Sequence, residues 1–111
     1  MGFSTEFVGA EPSRAEIDGQ PGPLVIEFGA PWCGYCLAAR PLVEEAFSAF
    51  PQVCHIKVED GRGRPLGRSF RIKLWPTLVF LRDGREIARV VRPEGSAAIA
   101  SALSEIVRPE H

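Results

Sequence analysis

Two cysteines separated by two residues, in the stretch Trp32-Cys33-Gly34-Tyr35-Cys36, stand between two segments of opposite habit. Ahead of them Leu24-Val25-Ile26-Glu27-Phe28 is short and apolar, the pattern of a buried strand. Behind them the chain from Leu37 to about Phe50 sets Leu42, Ala46 and Phe50 on one face, with Val43 and Phe47 beside them and Glu44 and Glu45 turned away. That spacing predicts a helix, and Pro41 inside it removes one backbone donor. Cys33 therefore falls at or just before a helix's first turn. There the N–H groups lack internal partners and the macrodipole concentrates partial positive charge. A thiolate, the reactive form of cysteine, is stabilised at such a place. Cys36, one turn on, can attack a mixed disulfide formed at Cys33 and release the partner reduced.

The same spacing serves zinc and haem sites, so each needs weighing. Zinc normally takes four ligands, and the remaining candidates are Cys54, His55 and His111, with no paired spacing among them. Covalent haem attachment needs His directly after the second cysteine, where this chain has Leu37. An inert structural pair is the alternative that spacing alone leaves open. The junction of strand and helix favours dithiol–disulfide exchange. No metal and no cofactor is expected.

The rest of the chain reads as one domain over residues 1–111, with residues 1–20 weakly patterned. Phe3 to Val8 is compatible with an edge strand, and Glu11 to Ile17 with a short helix that Gln20-Pro21-Gly22-Pro23 breaks. Val53 to Val58 alternates like a strand, and within it Cys54 is read as a small buried hydrophobe. Residues 61–75 form a loop with a helical turn near Pro65 to Phe70. Thr77 to Leu81 is a strongly β-prone run, Asp83-Gly84 a hairpin signal, and Glu86 to Val91 the return strand. Ser96 reads as the N-cap of a last helix reaching Val107, with Ile99, Leu103 and Ile106 on one side. The order β-α-β followed by β-β-α implies an α/β fold with a mixed central sheet and helices on both faces.

Charge narrows the partners. The net charge of −1 argues against general nucleic-acid binding, and no segment approaches the roughly 20 apolar residues of a membrane span. Met1 to Glu6 has neither a basic start nor an apolar run of signal-peptide length, and three cysteines suit a reducing compartment. A cytoplasmic location is the expectation. Arg62, Arg64, Arg68, Arg71 and Lys73 lie in one stretch without an acid among them, either as solvated surface or as a border of the substrate groove.

Leu24 to Cys36, Pro41, Trp75-Pro76-Thr77 and Asp83-Gly84 together resemble the thioredoxin family in order and spacing, over roughly residues 20–108. The resemblance implies a thioredoxin fold. It implies Cys33 as the attacking thiol, Cys36 as the resolving one, and the pair as a redox-active disulfide. Pro76 is then a cis proline beside the cysteines, with the backbone of Trp75 pairing to extended substrate. Glu27 takes the position of a buried acid that accepts the resolving thiol's proton, and His55 that of a nearby Lys. Trp32, Tyr35 and Trp75 are expected as contact surface around the motif. Tyr35 departs from the Pro usual in thioredoxins; the same Cys-Gly-Tyr-Cys sequence occurs in periplasmic disulfide isomerases, and glutaredoxins share the Tyr. Gly29 replaces an aromatic residue, and Arg92 falls near a glycine of the substrate rim.

The expected function is protein-disulfide reduction at Cys33 and Cys36 by a monomer. Disulfide-containing proteins are its expected substrates, and a reductase or another dithiol its electron donor. The alternatives are a disulfide oxidase or isomerase, or a non-catalytic adaptor or chaperone module.

Overall fold

The computed structural model describes residues 2–108. Its centre is β1 (Pro23–Gly29), in which six consecutive residues from Leu24 are buried. A strand buried on both faces reads as an unbroken apolar run, and β1 is flanked on both edges. It pairs in parallel with β2 (Cys54–Glu59) and antiparallel with β3 (Thr77–Arg82). Beyond β3 comes β4 (Arg85–Val91), giving the order β2-β1-β3-β4. Asp83 and Gly84 have φ of 52° and 79°, the left-handed pair that a two-residue hairpin needs to match strand twist. β4 is the outer strand, and its solvent face carries Arg85, Glu86 and Arg89.

Period-two alternation divides the core between two faces of the sheet. Leu24, Ile26 and Phe28 point to one side, where they meet Ile17 of α1 (Arg14–Asp18) and Leu66 of α3 (Pro65–Ser69), with Phe70 just beyond. Val25, Leu78 and Phe80 point to the other, against Val43, Ala46 and Phe47 of α2 (Gly34–Phe47) and Ile99, Leu103 and Ile106 of α4 (Ser96–Val107). Full burial of each such Val, Leu, Ile or Phe side chain contributes about 1.5–3 kcal/mol. The fold is the mixed, helix-flanked α/β sheet implied by the element order.

Several boundaries differ from the sequence reading, three of them with a structural reason. Phe3 to Val8 forms no continuous strand: Gly2 and Phe7 make isolated parallel bridges to Cys54 and Lys57 of β2, leaving the residues between them unpaired in the ladder. The second helix stops at Phe47, with Ser48 as its C-cap, short of Phe50. Pro51 accounts for this, because the residue before a proline is pushed out of the helical region. Ser96 is not an N-cap. It is the first helical residue, and the cap position is Gly95, which has no side chain to offer. The first helix, by contrast, has a full capping box: Ser13 Oγ accepts from Glu16 N–H at 3.0 Å and Glu16 Oε1 from Ser13 N–H at 2.8 Å.

Candidate active site

The end of β1 and the start of α2 converge through Gly29-Ala30-Pro31-Trp32. Cys33 is the N-cap of α2, with extended backbone (φ −80°, ψ 119°), and its Sγ accepts the Cys36 N–H at 3.2 Å. A sulfur here does what a Ser or Asp oxygen does at other helices: it satisfies an orphan N–H, and negative charge on it is favoured by that bond and by the dipole. Cys33 is buried rather than half-exposed, at 7% against 4% for Cys36, because Trp75 and Ala30 pack against both. Exposure therefore does not separate the two thiols.

Electrostatics does separate them. Burial pushes the Cys36 thiol up from 9.0 to about 12, with the hydrogen bond to Cys33 and the nearby charges of Cys33 and Glu27 adding to the rise and a backbone hydrogen bond at Ala30 opposing it. Cys36 is a protonated thiol at neutral pH. Its Sγ also occupies the space a side chain at residue 29 would fill, since a Cβ on Gly29 would collide with it. The space of an aromatic side chain at Gly29 is thus taken by the Cys36 sulfur itself.

Beneath the cysteines lies a buried polar pair. Glu27 Oε1 and His55 Nε2 are 2.9 Å apart, with the two side chains 3% and 0% exposed. His55 Nδ1 accepts the backbone N–H of Ser4 at 2.8 Å. That bond requires a lone pair on Nδ1, so the ring proton sits on Nε2 and is donated to Glu27. Phe47 and Phe3 flank the imidazole, at centroid distances of 4.9 and 5.6 Å. The resemblance placed His55 where the family has a Lys near the acid. In the sheet the residue opposite Glu27 is Lys57, and His55 stands opposite Val25. Lys57 is itself buried, with Nζ 4.8 Å from the centre of the Phe7 ring. Lys57 was not singled out from the sequence.

Around the motif, Trp32 and Tyr35 are 73% and 60% exposed, and Trp75 meets Trp32 edge-on at 5.4 Å between ring centres. The Trp75–Pro76 peptide bond is cis, and Pro76 is buried. Two side chains whose contacts the sequence did not reveal hold this corner. Asp60 Oδ2 accepts the Trp75 indole N–H at 2.9 Å. Arg92 donates from Nε to the Trp75 carbonyl at 2.9 Å, and its guanidinium carbon lies 3.8 Å from the centre of the Tyr35 ring. Arg92 has φ 48°, a left-handed conformation natural to glycine, at the place where the sequence departs from a rim glycine. Cys54 is half-buried on the opposite face of the sheet, packed against the α1/α3 core, and does not join the pair. Among the described residues no three His, Cys, Asp or Glu side chains gather as a metal site, and His111 lies outside those residues.

Comparison with known proteins agrees with this geometry. The thioredoxin family model matches residues 7–105. Thioredoxin from Mycobacterium tuberculosis is 31% identical over 86 residues, spanning 77% of this chain and 74% of that protein. A bifunctional thioredoxin reductase/thioredoxin from Mycobacterium leprae is 29% identical over 94 residues, 84% of this chain and 20% of that one. The structure of thioredoxin 2 from Pseudomonas aeruginosa PAO1 in its reduced form superposes with a TM-score of 0.84 at 54% identity, over 95% of this chain and 97% of that one. The family match over residues 7–105, together with a cysteine pair of which Cys33 caps the helix and Cys36 lies in its first turn, makes this chain a member of the thioredoxin family of thiol–disulfide oxidoreductases.

Proposed function

We propose that this chain reduces disulfides in polypeptide substrates by dithiol exchange, as a single-domain monomer. Cys33, as thiolate, attacks one sulfur of the substrate disulfide, and the other sulfur leaves and takes up a proton. Cys36 then gives its proton to Glu27 and attacks Cys33 Sγ. The second substrate thiol is expelled, and Cys33 and Cys36 are left joined as a disulfide. Two electrons have passed from the pair to the substrate. A thioredoxin reductase or another dithiol returns them; the relative that carries both names supports this class of donor. A reducing compartment such as the cytoplasm suits this direction of flow.

The observation that carries the reading is the unequal treatment of the two sulfurs. Cys33 Sγ sits at the N-cap of α2 and accepts the Cys36 N–H, while burial holds Cys36 as a thiol until its proton is taken. Glu27 is the buried acceptor, and the His55 Nε2–H orients its carboxylate. Trp75 and Pro76, with Trp32 and Tyr35 at the rim, form the surface along which extended substrate pairs. Reduction of insulin disulfides tests this: wild type is expected to turn over, and Cys33→Ser to lose turnover completely. A Cys33→Ser protein that still reduced insulin, or a wild type that did not, would refute the reductase assignment.

A further inference from the structure

The loop that leads from β2 to Trp75 encloses a cleft of about 490 Å³, lined by Asp60, Arg64, Arg68, Arg71, Ile72 and Lys73. Asp60 is its shared wall with the active site, because the same carboxylate holds the Trp75 indole. The charge in the cleft is unbalanced. Arg64 is paired with Glu59 at 3.4 Å. The side chains of Arg68, Arg71 and Lys73 are exposed and have no ion pair or hydrogen-bond partner among the described residues. Asp60 does not neutralise them freely: Oδ2 is taken by Trp75, and Oδ1 lies so close to Gly67 that a Cβ there would strike it.

The backbone supplies a second, independent observation. Arg71 has φ 58° and closes α3: its N–H donates to the Arg68 carbonyl at 3.0 Å, and the next N–H, of Ile72, to the Gly67 carbonyl at 3.0 Å. This is a helix C-terminal position that glycine fills most easily. Among the described residues three non-glycines have left-handed backbone: Asp83, in the hairpin turn, and Arg71 and Arg92. The two arginines stand on either side of Trp75 in the sequence, one lining the cleft and the other bonded to the Trp75 carbonyl. The left-handed backbone at Arg71 aims a long cationic side chain from the end of α3 at the wall of the cleft.

We propose that this cleft docks an acidic segment of the substrate polypeptide, so that glutamate- or aspartate-rich sequence flanking a disulfide selects it for reduction. The proposal rests on the reductase reading and names the substrate class of the same site. Substrate extended along Trp75–Pro76 continues past Asp60 into the cleft, where its carboxylates meet Arg68, Arg71 and Lys73. The permanent guanidinium charges favour planar, bidentate carboxylate contacts. Their combined field raises the encounter rate as well as the affinity.

The test uses two disulfide peptides with the same cysteine and apolar residues, one flanked by glutamates and one by lysines. Second-order reduction rates are measured for wild type and Arg68→Gln/Arg71→Gly at about 0.01 M and about 0.15 M ionic strength, where the Debye length is about 30 and 8 Å. Glycine at position 71 suits the left-handed backbone, so the variant keeps its fold; a melting temperature no lower than wild type verifies this. The acidic peptide is expected to react faster, on the order of tenfold at low salt. That ratio is expected to fall toward one at higher salt and in the variant. Equal rates at low salt, or an unchanged ratio in the variant, overturn the docking while leaving the reductase reading standing. A serine-for-cysteine glutamate peptide separates the two in the other direction. If neither disulfide peptide is reduced but this probe shifts the amide resonances of residues 61–73 in a salt-sensitive way, docking stands and the reductase reading fails. An oligothymidylate that displaces the probe at lower concentration than the peptide itself overturns the assignment to polypeptide.

Discussion

Removing His55 is the sharpest perturbation of the buried relay. The imidazole is the hydrogen-bond partner of Glu27 at 2.9 Å, and the Glu27 side chain is 3% exposed. His55→Ala leaves a carboxylate without its donor in the core, and losing a buried hydrogen bond to a charged group costs about 1.5–3 kcal/mol. It also strands the Ser4 N–H, adding about 1–3 kcal/mol if no water replaces the ring nitrogen. For a domain of this length that is a drop of about 6–12 °C in melting temperature from the pair alone, at about 4 °C per kcal/mol. Glu27→Gln behaves differently. It keeps an oxygen for the Nε2–H and removes the buried charge, so its cost is expected within about 1 kcal/mol. The double variant is then more stable than His55→Ala alone, because no charge is left to strand. Urea unfolding of the four oxidised proteins, followed by circular dichroism, measures all three differences. His55→Ala costing under about 1 kcal/mol, or a double variant no more stable than His55→Ala, refutes the account of this pair.

Glu27→Gln also tests the relay kinetically: resolution of the mixed disulfide by Cys36 is expected to slow, and unchanged turnover between pH 6 and 8 would remove Glu27 from the mechanism. Gly29→Ala drives a methyl group into Cys36 Sγ, so reduced protein is expected to lose about 1–3 kcal/mol in urea unfolding and to resolve more slowly; wild-type stability would mean the sulfur has room to move. Reduced protein is expected to lose stability as pH rises. Folding raises the Cys36 thiol from 9.0 to about 12, so unfolding releases its proton between those values, and stability is full below pH 9 and falls toward pH 12. The oxidised form has no such thiol, and parallel pH–stability curves for the two forms over that range would contradict the burial argument.

The sequence carried most clearly what depends on neighbours in the chain. β1 was visible as an apolar run, the hairpin as Asp83-Gly84, and the cysteine pair as a spacing at a strand–helix junction. What escaped depends on contacts across long separations. Ser4 reaches His55 across 51 residues, Asp60 reaches Trp75 across 15, and Arg92 reaches Trp75 across 17. No local pattern marks these partners. The Glu27–His55 contact was legible only as neighbouring strands; the register, which sets Lys57 opposite the acid and has His55 reach it diagonally, was not. Ser96 illustrates a different limit. Residue preference favours it as a cap, yet the backbone turns helical one residue earlier than its side chain could be used.

Limiting iodoacetamide labelling of reduced protein at neutral pH, mapped by mass spectrometry, tests the central claim most directly. Exposure alone favours Cys54, which is half-buried, over Cys33 and Cys36, which are buried. The helix-capping position, where Sγ accepts the Cys36 N–H, favours Cys33, and burial holds Cys36 as an unreactive thiol. The account predicts that Cys33 carries the first label, ahead of both others. First labelling at Cys36 or at Cys54 would contradict it.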